Sequence, residues 1–146
     1  MPAKTTAERF RAAIEDGELA ALDDLFSDDT RLYSLARAVP IQDKQMILGI
    51  FSVLFDTFED FRYIAQYTGD AVTMADGTEA PSVVLVFRGV VGGEEIHGID
   101  QMHFGDDGRI KEFSVMVRPM AAAQALSEAV LTGLADAGLV PASAAQ

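Results

Sequence analysis

Residues 82 to 91 of this 146-residue chain read Ser-Val-Val-Leu-Val-Phe-Arg-Gly-Val-Val, and no other stretch constrains the fold as much. A β-strand sends alternate side chains to opposite faces. One parity carries Val83, Leu85 and Phe87; the other carries Ser82, Val84 and Val86. Both are substantially apolar, so this strand needs cover on both sides. A chain of this length forms a single core, with little room for a second. Its own helices can cover one face. A second copy of the chain is then the expected cover for the other, which predicts a homodimer through the outer sheet face.

The elements around that strand follow from periodicity and turn residues. Thr5 with Glu8 reads as a capping box opening a helix that carries Phe10, Ala13 and Ile14 inward and closes at Gly17. A short second helix buries Leu19, Leu22 and Phe26, and Ser27-Asp28-Asp29 is expected to stop it. A brief strand is predicted at 30–35. Pro40 introduces a third helix with Ile47, Leu48, Phe51, Leu54, Phe55 and Phe58 at helical spacing. Strands are predicted at 61–68, 82–91, 94–104 and 109–117, with turns at Gly92-Gly93 and Asp106-Asp107-Gly108. Pro119 starts a closing helix with Leu126, Val130 and Leu134. The expected domain covers 1–138, followed by a flexible tail at 139–146. Segregated helices and hairpin-linked strands make the class α+β, with helices on one face of the sheet.

Composition narrows the function. The 11 basic and 23 acidic side chains give a net charge of −12. That field repels phosphate backbones and anionic lipid surfaces, so nucleic acid and membranes are not expected partners. No apolar run is long enough to span a bilayer, and residues 1–17 hold no apolar signal core, so a cytoplasmic location is expected. With no cysteine in the chain, disulfides and thiolate metal sites are excluded.

Asp100 is the residue that stands out chemically. Parity groups it with Ile96, Gly98, Met102 and Phe104, the more apolar side of its strand, which should face the helices. A carboxyl held there is desolvated and keeps its proton to higher pH, and perturbed carboxyls in clefts mark candidate sites. The competing reading is a structural carboxylate bonded to a neighbouring strand or a buried water. His97 and His103 lie about 20 Å apart along one strand, too far to share an ion, so no metal is expected. Both are expected at a surface or interface. Arg118 is a candidate for a ligand carboxylate or for an ion pair with Glu112, and its shared parity with Glu112 and Ser114 favours the ion pair. Gly89, Gly92, Gly93 and Gly98 belong to a hairpin rather than a phosphate loop, because strand follows strand and Glu94-Glu95 would repel phosphate. No cofactor signature is present.

The spacing Arg9-Phe10, Gly17-Glu18-Leu19 and Leu25-Phe26-Ser27-Asp28-Asp29 resembles the opening of ketosteroid isomerases and SnoaL-like proteins. The segment Gly98-Ile99-Asp100-Gln101-Met102-His103-Phe104, the turn at Asp107-Gly108-Arg109-Ile110 and the run to Arg118-Pro119 resemble their ending. The resemblance, to the nuclear transport factor 2-like superfamily, implies a single SnoaL-like domain. Its fold is a cone-shaped, curved mixed sheet with helices on the concave face, as in cystatin-like proteins, and an apolar pocket between them. The implied wall is Phe10, Ile14, Ser34, Phe51, Phe55, Leu85, Phe87, Met102, Phe104, Phe113, Val115 and Val117.

The isomerases place a tyrosine where this chain has Phe10 and a carboxylate base where it has Ser34; only their aspartic acid is matched, by Asp100. A serine hydroxyl cannot replace a carboxylate base, so steroid isomerisation is not expected. Two functions stay open: a domain that binds a small hydrophobic molecule, or an isomerase-, cyclase- or hydratase-type enzyme in which Asp100 is general acid or oxyanion donor. Tyr33, Tyr63 and Tyr67 are the candidates for a second polar group.

Overall fold

In the computed structural model, residues 2–141 are described. The order is α1 (Ala3–Asp16), α2 (Leu19–Asp23), β1 (Phe26–Tyr33), α3 (Lys44–Thr57), β2 (Glu59–Val72), β3 (Glu79–Val91), β4 (Glu94–Phe104), β5 (Ile110–Arg118) and α4 (Met120–Asp136). The α+β class is as expected. The last five residues of the expected tail, 142–146, lie outside the described ones. Within the rest, the Leu139 side chain lies against Gly49 of α3.

Helix α1 buries Ala7, Phe10 and Ala13 and ends where Gly17 turns left-handed at φ 66°, with the Glu18 N–H donating to the Ala13 carbonyl at 2.9 Å. The expected capping box is not there. The helix starts two residues before Thr5, with Pro2 as its N-cap and no side-chain cap. Thr6, one turn in, instead donates its hydroxyl to the Gly108 carbonyl. A tertiary tie from the β4–β5 turn thus organises this helix end.

Ser27-Asp28-Asp29, expected to stop α2, already belongs to β1. Its backbone partner is remote: the Ile110 N–H donates to Leu25 O at 2.8 Å, and Ser27 Oγ donates to Ile110 O at 3.1 Å. Long-range pairing overrides the local turn signal. Helix α3 likewise begins at Lys44 rather than near Pro40, because Asp43 is the residue whose side chain accepts the Gln45 N–H, at 3.0 Å. The intervening loop is pinned at its ends by the reciprocal Leu32–Ile41 bonds of 2.9 and 2.8 Å.

The strands form one five-stranded sheet in the order β1-β5-β4-β3-β2, parallel between β1 and β5 and antiparallel elsewhere. The sheet is curved and unclosed. Gly92 and Gly93, at φ 56° and 81°, make the two-residue turn between β3 and β4. In β2 the register shifts between Tyr63, opposite Phe87, and Ala65, opposite Val86, which leaves Ile64 as the extra residue of a bulge.

Directly paired residues share a face. The inner face therefore carries the rows Tyr63–Phe87–Gly98–Val117 and Gln66–Leu85–Asp100–Val115. A methyl group on Gly98 would run into the Phe87 ring and the Val117 side chain. The glycine leaves the room that the Phe87 ring takes up beside β4. Beneath the helices, Phe10, Phe26, Phe51 and Phe113 pack with ring centroids 5.4 to 6.3 Å apart, the spacing favoured by edge-on and tilted aromatic pairs.

Candidate functional site

Between the inner sheet face and helices α3 and α4 lies a cavity of about 330 Å³. Helix α3 lines it with Met46, Ile50, Phe51, Leu54 and Phe55, one stripe of a 3.6-residue repeat. Helix α4 contributes Leu126, Val130, Leu131 and Leu134, again at helical spacing. The sheet contributes Tyr63, Phe87, Asp100, Phe113 and Val115. The wall is apolar but for a few side chains, among them Ser34, Arg37, Tyr63, Asp100 and Ser127.

Asp100 is 7% exposed and looks into this space from β4. Tyr63, also 7% exposed, donates its hydroxyl to Asp100 Oδ2 at 2.9 Å. Burial pushes the carboxyl up to about 7, and the tyrosine bond offsets part of that rise. The Tyr63 phenol is pushed well above its ordinary range, first by burial and then by the Asp100 charge. It therefore remains a donor at any physiological pH, and one carboxyl oxygen stays free to face the cavity.

Of the residues expected to line a pocket, Ile14, Ser34, Phe51, Phe55, Phe87, Phe113 and Val115 do line the cavity. Phe10, Leu85, Met102, Phe104 and Val117 do not line it. Phe10 sits one layer back, against Phe51 and Phe113. Leu85, Met102 and Phe104 are buried in the hydrophobic core instead. Inward parity identifies core-facing residues; the helices decide where the core parts.

Among three candidate tyrosines, the structure singles out Tyr63. Strict alternation through β2 would not fix its side, because the bulge at Ile64 reverses parity within the strand. The α4 wall carried a readable signal, since Leu126, Val130 and Leu134 recur every four residues, but nothing in that period says which turn faces a void.

The outer sheet face holds a second polar group, which corrects two expectations. His103 is buried rather than at a surface. The β2–β3 connection folds over this end of the sheet, and the Glu112 carboxylate, fully buried, accepts the N–H groups of Met74 at 2.8 Å and Ala75 at 3.0 Å. Glu112 pairs with Arg31 at 3.7 Å and approaches His103 Nδ1 at 3.7 Å; it has no ion pair with Arg118. Arg118 instead falls in register with His97 and Arg88, farther along the strands. Burial holds the His103 imidazole below its usual range, against the pull of Glu112. Among the described residues no group of His, Asp and Glu is arranged to hold a metal ion, and no helix is long and apolar enough to cross a membrane.

No family model matches the sequence, and no curated protein matches it. Solved structures do. A steroid delta-isomerase from Pseudomonas aeruginosa is 36% identical, over 94% of this chain and 95% of that one, with a TM-score of 0.81. An uncharacterised protein with a cystatin-like fold from Silicibacter pomeroyi is 21% identical, over 86% and 82% of the two chains, with a TM-score of 0.73. A nuclear transport factor 2-like protein of unknown function from Mesorhizobium loti is 18% identical, over 80% and 91%, with a TM-score of 0.61.

Proposed function

The chain belongs to the nuclear transport factor 2-like superfamily, with the ketosteroid isomerase-like fold, and from that premise we propose that its cavity binds a small hydrophobic carbonyl compound. The observation that carries this reading is the Tyr63–Asp100 hydrogen bond at the buried end of an apolar space. Near neutral pH a carboxyl that titrates at about 7 is in good part protonated. Tyr63 occupies one oxygen, so the acid proton is directed at whatever lies in the cavity. A carbonyl oxygen is the acceptor that suits it. A hydrocarbon of the same shape would leave the acid without a partner, which is costly in a dry site.

A second reading is enzymatic, and two observations favour it. A carboxyl poised near pH 7 is suited to moving protons in either direction, and the Pseudomonas protein, 36% identical, is described as a steroid delta-isomerase. Asp100 would then protonate or hydrogen-bond a developing enolate oxygen. Against proton abstraction by a separate base, Asp100 is the only carboxylate among the described residues that line the cavity, and Ser34 lies in the wall as a weak acceptor. The binding reading therefore leads, with the protein acting as a homodimer in the cytoplasm and without a cofactor.

Binding of a bicyclic aromatic ketone, set against its carbon isostere in which the oxygen is replaced by methylene, tests this. The ketone should bind roughly five- to tenfold more tightly, the worth of one net hydrogen bond of about 1 kcal/mol. Asp100→Leu should abolish that preference while leaving hydrocarbon binding in place. Equal affinity for the two compounds in the unmodified protein would sink the reading. Turnover of a 5-ene-3-ketosteroid at an isomerase-like rate would move the enzymatic reading ahead of it.

A further inference from the structure

Among the described residues, Arg37 is the only cationic side chain and Asp100 the only carboxyl in a cavity wall that is otherwise apolar or neutral near pH 7. Their settings differ. Asp100 is buried, whereas Arg37 is exposed, so the cavity runs from an acid at its closed end to a cation at its rim. Among the described residues Arg37 takes part in no ion pair and no side-chain hydrogen bond. By contrast, Arg11 is held by Glu15, Arg31 by Glu112, and Lys44 by Asp23 and Asp28.

The position of Arg37 is also prepared. It lies near the middle of the loop between Leu32 and Ile41, whose ends are tied together by the two backbone bonds of that pair. The loop side chains Leu35 and Ile41 line the same cavity. Its sequence neighbours are Ala36, Ala38 and Val39, so no carboxylate within the loop competes for the guanidinium. In a chain with 23 acidic and 11 basic residues, an anionic ligand meets a repulsive field. An unpaired guanidinium at the entrance is the feature that reverses it locally, and its planar donors match a carboxylate.

Resting on the carbonyl-binding reading above, we propose that the natural ligand is an amphipathic keto acid. Its carbonyl meets the Tyr63–Asp100 pair, its apolar body fills the cavity, and its carboxylate is held at the rim by Arg37. Arg37 is then a specificity-determining residue: it selects acids over neutral ketones of the same size and fixes which end enters first.

Four probes separate the two halves of this reading: (para-acetylphenyl)butanoate, its methyl ester, (para-ethylphenyl)butanoate and the methyl ester of that. Calorimetric titration of the full chain at low salt should show the acids preferred over their esters by roughly fivefold, a modest factor because the cation is solvated. Arg37→Gln should erase that preference by bringing the acids down to the level of their esters, while Arg37→Lys should retain part of it. Added salt should shrink it in the unmodified protein. Asp100→Leu should remove the preference for acetyl over ethyl and leave the acid–ester ratio alone. Acids and esters that bind alike, or a preference that survives Arg37→Gln, would overturn the keto-acid proposal without touching the carbonyl reading. Acetyl and ethyl compounds that bind alike in the unmodified protein would overturn the carbonyl reading, and saturable binding by none of the four would overturn both.

Discussion

At Asp100 the fold and the ionised state oppose each other. The folded carboxyl titrates at about 7 against an ordinary value of 3.8, because burial penalises the charge more than the Tyr63 bond relieves it. A proton is therefore bound more tightly by the folded chain than by the unfolded one. The stability this group contributes is complete below about pH 4, declines as pH rises towards 7, and is absent above it. A shift of this size corresponds to roughly 4 kcal/mol across that window. Asp100→Asn should flatten this component: little change in stability at pH 4, a gain of a few kcal/mol at pH 8, read from urea unfolding at each pH. His103 runs the other way, since its depressed value means that stability is lost as pH falls through the acid range. The difference between variant and parent isolates Asp100 from it. An offset that is the same at both pH values would mean the carboxyl is not desolvated. Asp100 could be found from the sequence because strict alternation in β4 holds without interruption from Glu94 to His103. Its partner could not, because one inserted residue, Ile64, hides the side on which Tyr63 lies.

At the scale of the element, the β2–β3 connection depends on a residue remote in sequence. Its backbone is organised by side chains: Thr73 and Thr78 hydroxyls both donate to Asp76 Oδ1, and Glu112, from β5, takes the N–H groups of Met74 and Ala75. The bonds from Thr73 and Thr78 hold the Asp76 carboxyl well below its usual range. Glu112 thereby anchors the far hairpin to the sheet while itself sitting fully buried beside Arg31. Glu112→Ala removes an acceptor from two amides and a counter-charge from Arg31. A loss of roughly 3 kcal/mol is expected in denaturant unfolding, with faster hydrogen exchange at Met74 and Ala75. Glu112→Gln should cost less, since one acceptor oxygen remains. An alanine variant within the error of the parent would show that the connection is held by its own Thr73–Asp76–Thr78 bonds. Sequence alone reached the hairpins, the helix count and the β4 limits, because turn glycines and apolar periods are local. It placed the start of β1 and the fate of Glu112 wrongly or not at all, because both are decided by residues some 40 to 80 positions away.

At the scale of the molecule, the outer sheet face carries the rows Ala65–Val86–Ile99–Met116 and Tyr67–Val84–Gln101–Ser114. Tyr67 is 66% exposed and Met116 49%. The first of these rows is wholly apolar and the second adds Tyr67 and Val84 beside it, and exposed apolar patches are where partners dock. Sedimentation at micromolar concentration is expected to give twice the chain mass of 15.7 kDa. Ile99→Lys, which would bury an ammonium at the centre of the contact, should give the single-chain mass with the fold intact. A monomer in the unmodified protein would refute the homodimer. The parallel pairing of β1 with β5 has a consequence of another kind, in time rather than in space. β1 is complete at Tyr33, yet the only strand beside it begins at Ile110. The Thr6 hydroxyl, too, waits for Gly108. During synthesis on the ribosome, some 80 residues must be added before β1 finds its neighbour, on the order of ten seconds at ordinary translation rates. For that interval Phe10 of α1 can meet Phe26 and Phe51 but not Phe113, and the edge of β1 that β5 will take stays open, a strand edge that other chains can pair with until the last strand emerges.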